Sequence, residues 1–109
     1  MRNYRAFISY NHGDERIARK LHRRIESFRP SKRLNPTPRR IQPVFRDRDE
    51  MAAATDLPER VTAALQNSEN LIVLCSPRAA ASEWVNREIA TFAAMHGPDR
   101  IFPVIVEGE

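Results

Sequence analysis

The chain holds a single cysteine, Cys75, and only three glycines among its 109 residues. One thiol cannot close an internal disulfide, so this is not a disulfide-stapled fold. The usage fits a reducing compartment, and the cytoplasm is the expected location. The three histidines, His12, His22 and His96, are scattered and join no cysteine at metal-ligand spacing, so no metal is expected. The glycines are too few and too far apart for a Gly-x-Gly-x-x-Gly turn or a phosphate-binding P-loop. No apolar run approaches the ~20 residues of a membrane span, so no membrane partner is expected. Arg2 and Arg5 bracket a segment that turns polar by Asn11, which is not a secretory leader.

What is present supports a packed core. Hydrophobic residues make up 41% and charged residues 29%, which argues against intrinsic disorder. The net charge of +4 hides an asymmetry. Residues 1–50 carry 14 basic and 6 acidic side chains, a net +8, and residues 51–109 carry 4 and 8, a net −4. Such a split raises the question of a nucleic acid or other anionic partner.

Short apolar runs alternate with helical periods. Tyr4 to Ser9 reads as a buried strand, followed by turn chemistry over Tyr10 to Gly13. Asp14 and Glu15 suit a helix start, and Ile17, Leu21, Ile25 and Phe28 form one apolar stripe. Residues 29–41, with Pro30, Pro36 and Pro38, form a linker. Gln42 to Phe45 is a second strand, and Pro43 argues for an edge position. Asp56 with Glu59 resembles a capping box, with Pro58 in the first turn of a helix running to about Ser68. Leu71 to Cys75 is apolar throughout, as in a strand buried on both faces of a parallel sheet. Ser76-Pro77 breaks it. Ser82 caps a third helix with Val85, Ile89 and Phe92 on its stripe, Gly97-Pro98 ends that helix, and Ile101 to Val106 is a fourth strand. The sum, βαβαβαβ, predicts a parallel sheet with helices on both faces. Ligands then bind beyond the carboxyl ends of the strands, in loops 10–14, 46–56 and 76–82.

Three segments stand out in order. Ala6-Phe7-Ile8-Ser9-Tyr10 is followed by Asp14. Phe45-Arg46-Asp47-Arg48-Asp49 follows the second strand. Leu71 to Pro77 is followed by Ser82-Glu83-Trp84-Val85-Asn86-Arg87-Glu88. From Tyr4 to Val106 this pattern resembles the Toll/interleukin-1 receptor (TIR) domain family in its bacterial branch. The resemblance implies an α/β, flavodoxin-like parallel sheet. In many members it also implies cleavage of NAD+ into nicotinamide and linear or cyclic ADP-ribose, in bacterial immune or virulence signalling. NAD+ would be a consumed substrate, with no cofactor. There are two departures. Family domains usually have a fifth strand, so residues 1–109 are read as a C-terminally truncated TIR domain, the N-terminal part of a longer protein with an exposed fourth strand. Met51 to Thr55 also stands where the family's loop commonly carries Pro and Gly.

Glu88 matches the family's catalytic glutamate, four residues after Trp84 and so on the same helix face. Its expected place is the boundary between core and surface. Loss of nicotinamide leaves a ribose with oxocarbenium character, and a fixed carboxylate stabilises it. The competing reading is an ordinary glutamate early in a helix. Trp84 is read either as a wall of the pocket or as a half-buried packing residue. Ser9, Tyr10 and Asn11 offer hydroxyl, ring and amide groups to the ribose or phosphates. In the Arg46–Asp49 loop, Arg46 or Arg48 is suited to the pyrophosphate, with Asp47 and Asp49 beside them. The alternative there is a solvated loop with local ion pairs. Ser82 is read as an N-cap before it is read as a ligand contact. Cys75, inside a buried strand, is expected to be inert.

The resemblance also implies homotypic TIR–TIR association. The rival from another class is a non-catalytic signalling adaptor that works through such contacts alone. The basic face of the first helix is read as a solvated or self-associating surface, with an anion or nucleic-acid binder using Arg16 to Arg40 as a third reading. Nucleic acid is not the expected partner, because no recognised nucleic-acid motif accompanies the charge.

Overall fold

The computed structural model describes residues 4–27, 43–46 and 57–106. Phe28, the 29–41 linker, Gln42, the loop residues Asp47, Arg48 and Asp49, Met51 to Thr55 and Asp56 lie outside these. The elements are β1 (Ala6–Ser9), α1 (Glu15–Ser27), β2 (Val44–Arg46), α2 (Glu59–Gln66), β3 (Leu71–Cys75), α3 (Pro77–Ala80), α4 (Glu83–His96) and β4 (Ile101–Ile105). Single 3-10 turns at His12–Asp14 and Pro98–Arg100 precede α1 and β4.

The four strands form one parallel sheet in the order β2-β1-β3-β4. The chain steps outward from β1 to β2 and then returns to the far side of β1. The strand order therefore reverses between β1 and β3, where Ser9 pairs with Val73. A crevice opens at such a reversal because the flanking connections leave on opposite faces.

Alternation along the strands divides the core in two. Phe7, Leu71 and Val73 face α2 and α4, packing with Val61, Leu65, Trp84, Val85 and Phe92. Ala6, Ile8, Val44 and Leu74 face α1, packing with Ala18. Helices thus cover both faces, as the βαβ pattern predicts.

Local differences from the sequence reading have physical causes. Ile17 does not join the core and is 41% exposed. Ala18 is fully buried instead, with Leu21 and Ile25 packed against the same cluster. A small residue lets the helix approach the sheet closely, and its contact line then runs through 18, 21 and 25. Residue 17 lies about 100° around the helix from residue 18. The N-cap of α2 is Pro58, two positions later than the Asp56 cap expected from sequence, and it makes no side-chain cap bond. β2 begins at Val44, after Pro43, and is an edge strand. Ser76-Pro77 does more than break β3: Ser76 Oγ accepts from Ala79 N at 3.1 Å, capping α3 with Pro77 in its first turn. Gly97, at φ +82°, ends α4 in a backbone conformation open to glycine at little cost. β4 is an outer strand with Phe102 50% and Ile105 79% exposed.

Candidate active site

At the carboxyl end of β1, the Ser9 hydroxyl donates to Glu88 Oε1 at 2.6 Å. Ser9 is the last residue of β1, and Glu88 lies in the second turn of α4. The sheet alternation that turns Phe7 toward α4 turns Ser9 there as well. Helical period sets Glu88 on the stripe shared by Trp84 and Phe92, at i−4 and i+4. Ser82 fixes where the helix starts, since its Oγ accepts from Val85 N at 3.2 Å.

The pair is more deeply placed than the sequence reading has it. Glu88 is 1% exposed and Ser9 fully buried, so Glu88 is a core carboxylate and not a boundary one. The reason is its stripe: Trp84, Val85 and Phe92 dock the helix on the sheet, and Glu88 goes in with them. A carboxylate in such surroundings needs hydrogen-bond donors to offset lost hydration, and Ser9 supplies one. The hydroxyl of Ser9 is thus a support for Glu88, with no surface left to present to a ligand.

The remaining candidates fall into place around this pair. Trp84 is 7% exposed and belongs to the core, beyond the half-burial expected of it. Tyr10 is turned to the opposite, α1 face, with its hydroxyl donating to Glu15 Oε1 at 3.4 Å. Asn11 is half-buried, and its Oδ1 accepts from Gly13 N at 2.9 Å to cap the 3-10 turn. Arg46 ends β2 at 9% exposure, in register with Ile8. Paired residues of parallel strands share a face, so Arg46 lies on the α1 side while Ser9 and Glu88 lie on the α4 side. The structure therefore brings Ser9, Glu88 and Trp84 to one face and sets Tyr10 and Arg46 on the other.

A second polar cluster bridges the loops after β1 and β3. Asp14 is 3% exposed. Its Oδ2 accepts from Ser76 Oγ at 2.5 Å, and its Oδ1 from Arg78 Nη1 at 2.9 Å. The Arg78 side chain is 53% exposed. In sequence, Asp14 reads as a helix start and part of the family pattern, and Ser76 as a strand break; both fall in candidate ligand loops, but nothing there pairs them. The missed signal is Ser-Pro-Arg directly after a wholly apolar strand, which puts a cap and a cation at the ligand-binding edge. Among the described residues no group of three or more His, Cys, Asp or Glu is placed to hold a metal. No helix among them is long and apolar enough to cross a membrane.

A family model described as TIR domain matches residues 6–109. The chain is also similar to the NAD(+) hydrolase ApTIR of Actinoplanes sp., at 37% identity over 118 residues. That alignment takes in 97% of this chain and 14% of the relative, so the chain spans about a seventh of the relative's length.

Proposed function

The chain belongs to the TIR domain family, and on that premise we propose that it cleaves NAD+ at the nicotinamide–ribose bond, with Glu88 as the catalytic carboxylate. The observation that carries this reading is the Ser9–Glu88 pair beside the β1/β3 reversal, in a relative of a protein named for NAD+ hydrolysis.

The chemistry suits the residues. The nicotinamide of NAD+ is already cationic, so the C–N bond breaks with its electron pair going to the ring, which leaves neutral and needs no general acid. Positive charge moves to the ribose C1′ and ring oxygen. Glu88 supplies a fixed negative charge there, and one held by the Ser9 hydroxyl costs little reorganisation. Water then adds to C1′ and gives up a proton, yielding ADP-ribose. Attack by the adenine of the same molecule yields the cyclic product instead.

Substrate reaches a carboxylate that is 1% exposed only when the groups covering it part. That makes a conditional enzyme, and we assign the condition to self-association of TIR domains. Protein titrated over a wide concentration range with NAD+ should release nicotinamide, with activity per molecule rising as the domains associate. No release at any concentration refutes the reading. Ser9→Ala removes the donor to Oε1 and is expected to slow turnover about tenfold, the effect of about 1.4 kcal/mol. Unaltered turnover in this variant would leave Ser9 a packing residue only.

The near-complete burial of Glu88 also favours a second reading, a non-catalytic adaptor in which the Ser9–Glu88 bond merely ties α4 to β1. Homotypic binding without any NAD+ turnover is its signature.

A further inference from the structure

The Asp14 cluster is independent of the Ser9–Glu88 pair, yet it stands on the same edge of the sheet. We propose that Arg78 binds the pyrophosphate of the dinucleotide, and that Asp14 and Gly13 are the residues that position it. This rests on the reading that the site takes NAD+.

One edge of the Arg78 guanidinium is committed. Nη1 donates to Oδ1 of a carboxylate that is 3% exposed, whose other oxygen is held by Ser76. The rest of it is not. The side chain is 53% exposed, and the Asp14 contact is its one bond among the described residues. An arginine has five N–H donors in a rigid fork, so the free edge can grip phosphate oxygens. A loose surface arginine loses much side-chain freedom when it binds, and Asp14 has already removed part of that cost.

The loop beneath is shaped for this arrangement. A Cβ on Gly13 would stand 2.7 Å from Arg78 Cδ and 3.1 Å from Nε. The arginine stem therefore lies directly on the glycine, and any side chain at 13 lifts it. Placement agrees as well. Ser9 and Asp14 bracket the loop after β1, while Ser76 and Arg78 follow β3, its neighbour across the strand reversal. Of the two cations suggested by sequence, Arg48 lies outside the described residues and Arg46 is 9% exposed on the α1 face. Arg78, at 53%, is better presented than Arg46.

The test compares two substrates that share the scissile bond. NAD+ has the pyrophosphate; nicotinamide riboside has no phosphate. Arg78→Gln should lower kcat/KM for NAD+ by roughly 10- to 100-fold, mainly through KM, and that for nicotinamide riboside by less than about 3-fold. Gly13→Ala, which leaves the charge in place, should reproduce the NAD+ loss. Arg78→Lys should restore only part of it, because the fork is gone. A binding arm needs no turnover: inorganic pyrophosphate titrated onto the protein and followed by NMR should bind at least about tenfold more weakly to Arg78→Gln. Equal losses on both substrates would reduce Arg78 to a structural rivet and overturn the assignment. Pyrophosphate binding that is undetectable in the unmodified protein, or unchanged in Arg78→Gln, overturns it too. If no form of the protein releases nicotinamide, the cleavage reading fails by itself, and the pyrophosphate titration still decides the role of Arg78.

Discussion

Glu88→Gln is expected to lower nicotinamide release from NAD+ by roughly 1,000-fold while the protein melts within a few degrees of the unmodified chain. The two halves of this expectation come from separate physics. Glutamine matches glutamate in shape, and its Oε1 still accepts from Ser9, whose Oγ lies 2.6 Å from the carboxylate in the native pair. The packing of Trp84, Val85 and Phe92 along the same helix is untouched. What disappears is the negative charge. Removing a group aimed at developing charge in a buried site typically costs 10²–10³ in rate, about 3–4 kcal/mol of transition-state stabilisation. At 1% exposure the carboxylate is little screened by solvent, so the upper end applies. The loss should appear in kcat, since the charge it answers develops only as the bond breaks.

Glu88→Ala would confuse the two effects. It opens a cavity under α4 and leaves the buried Ser9 hydroxyl without its acceptor, so stability would fall by about 2–4 kcal/mol along with activity. The isosteric change separates chemistry from folding. Nicotinamide release by Glu88→Gln equal to that of the parent would remove Glu88 from the mechanism. If neither protein turns over NAD+ while both self-associate, the adaptor reading stands in its place.

The succession of strands and helices along the chain was readable because the signals were strong and local. Leu71 to Cys75, apolar at every position and bounded by turn residues, reads as a strand covered on both sides, and it lies third in a parallel sheet. Ser82 and Gly97 punctuate α4 at both ends, as their residue types predict. Depth was less readable. The spacing of Trp84 and Glu88 puts both on one face, but spacing does not say how far that face is inserted. Burial was decided by Phe92 and Val85, which pull the stripe into the core. The Asp14–Ser76 contact spans 62 positions of chain and the Asp14–Arg78 contact 64, so no local pattern announces either. They arise because β1 and β3 are adjacent in the sheet, a fact of topology that brings two strand-end loops together. Ile17 shows the same limit at smaller scale: helical periodicity gives a stripe, but Ala18 decided where on that stripe the sheet makes contact.

Phe92→Ala is expected to destabilise the domain by about 3–5 kcal/mol, the cost of emptying a large buried site. Phe92 is fully buried among Phe7, Val61, Leu65 and Val85, where strand β1 meets helices α2 and α4. Its ring also lies 4.6 Å from that of His96, tilted by 51°, and His96 Nε2 lies 3.0 Å from Leu65 O at the end of α2. Truncation therefore removes transfer energy, leaves a void between rigid elements and unseats the histidine that ties two helices. At about 4–8 °C per kcal/mol for a domain near this size, the melting temperature should fall by roughly 12–40 °C. A denaturant melt checks the cause: the midpoint should drop with the slope unchanged, as for lost packing in an otherwise native fold. A fall of only a few degrees would mean that the α2–α4 seam repacks freely and does not hold α4 on the sheet. The consequence for the site differs in kind from that of Glu88→Gln. Phe92 lies one turn beyond Glu88 on the same stripe, so a loosened seam lets the carboxylate drift from Ser9 without changing its charge. Nicotinamide release by the folded fraction should then fall far less than 1,000-fold and recover on cooling, whereas the loss in Glu88→Gln should persist at every temperature.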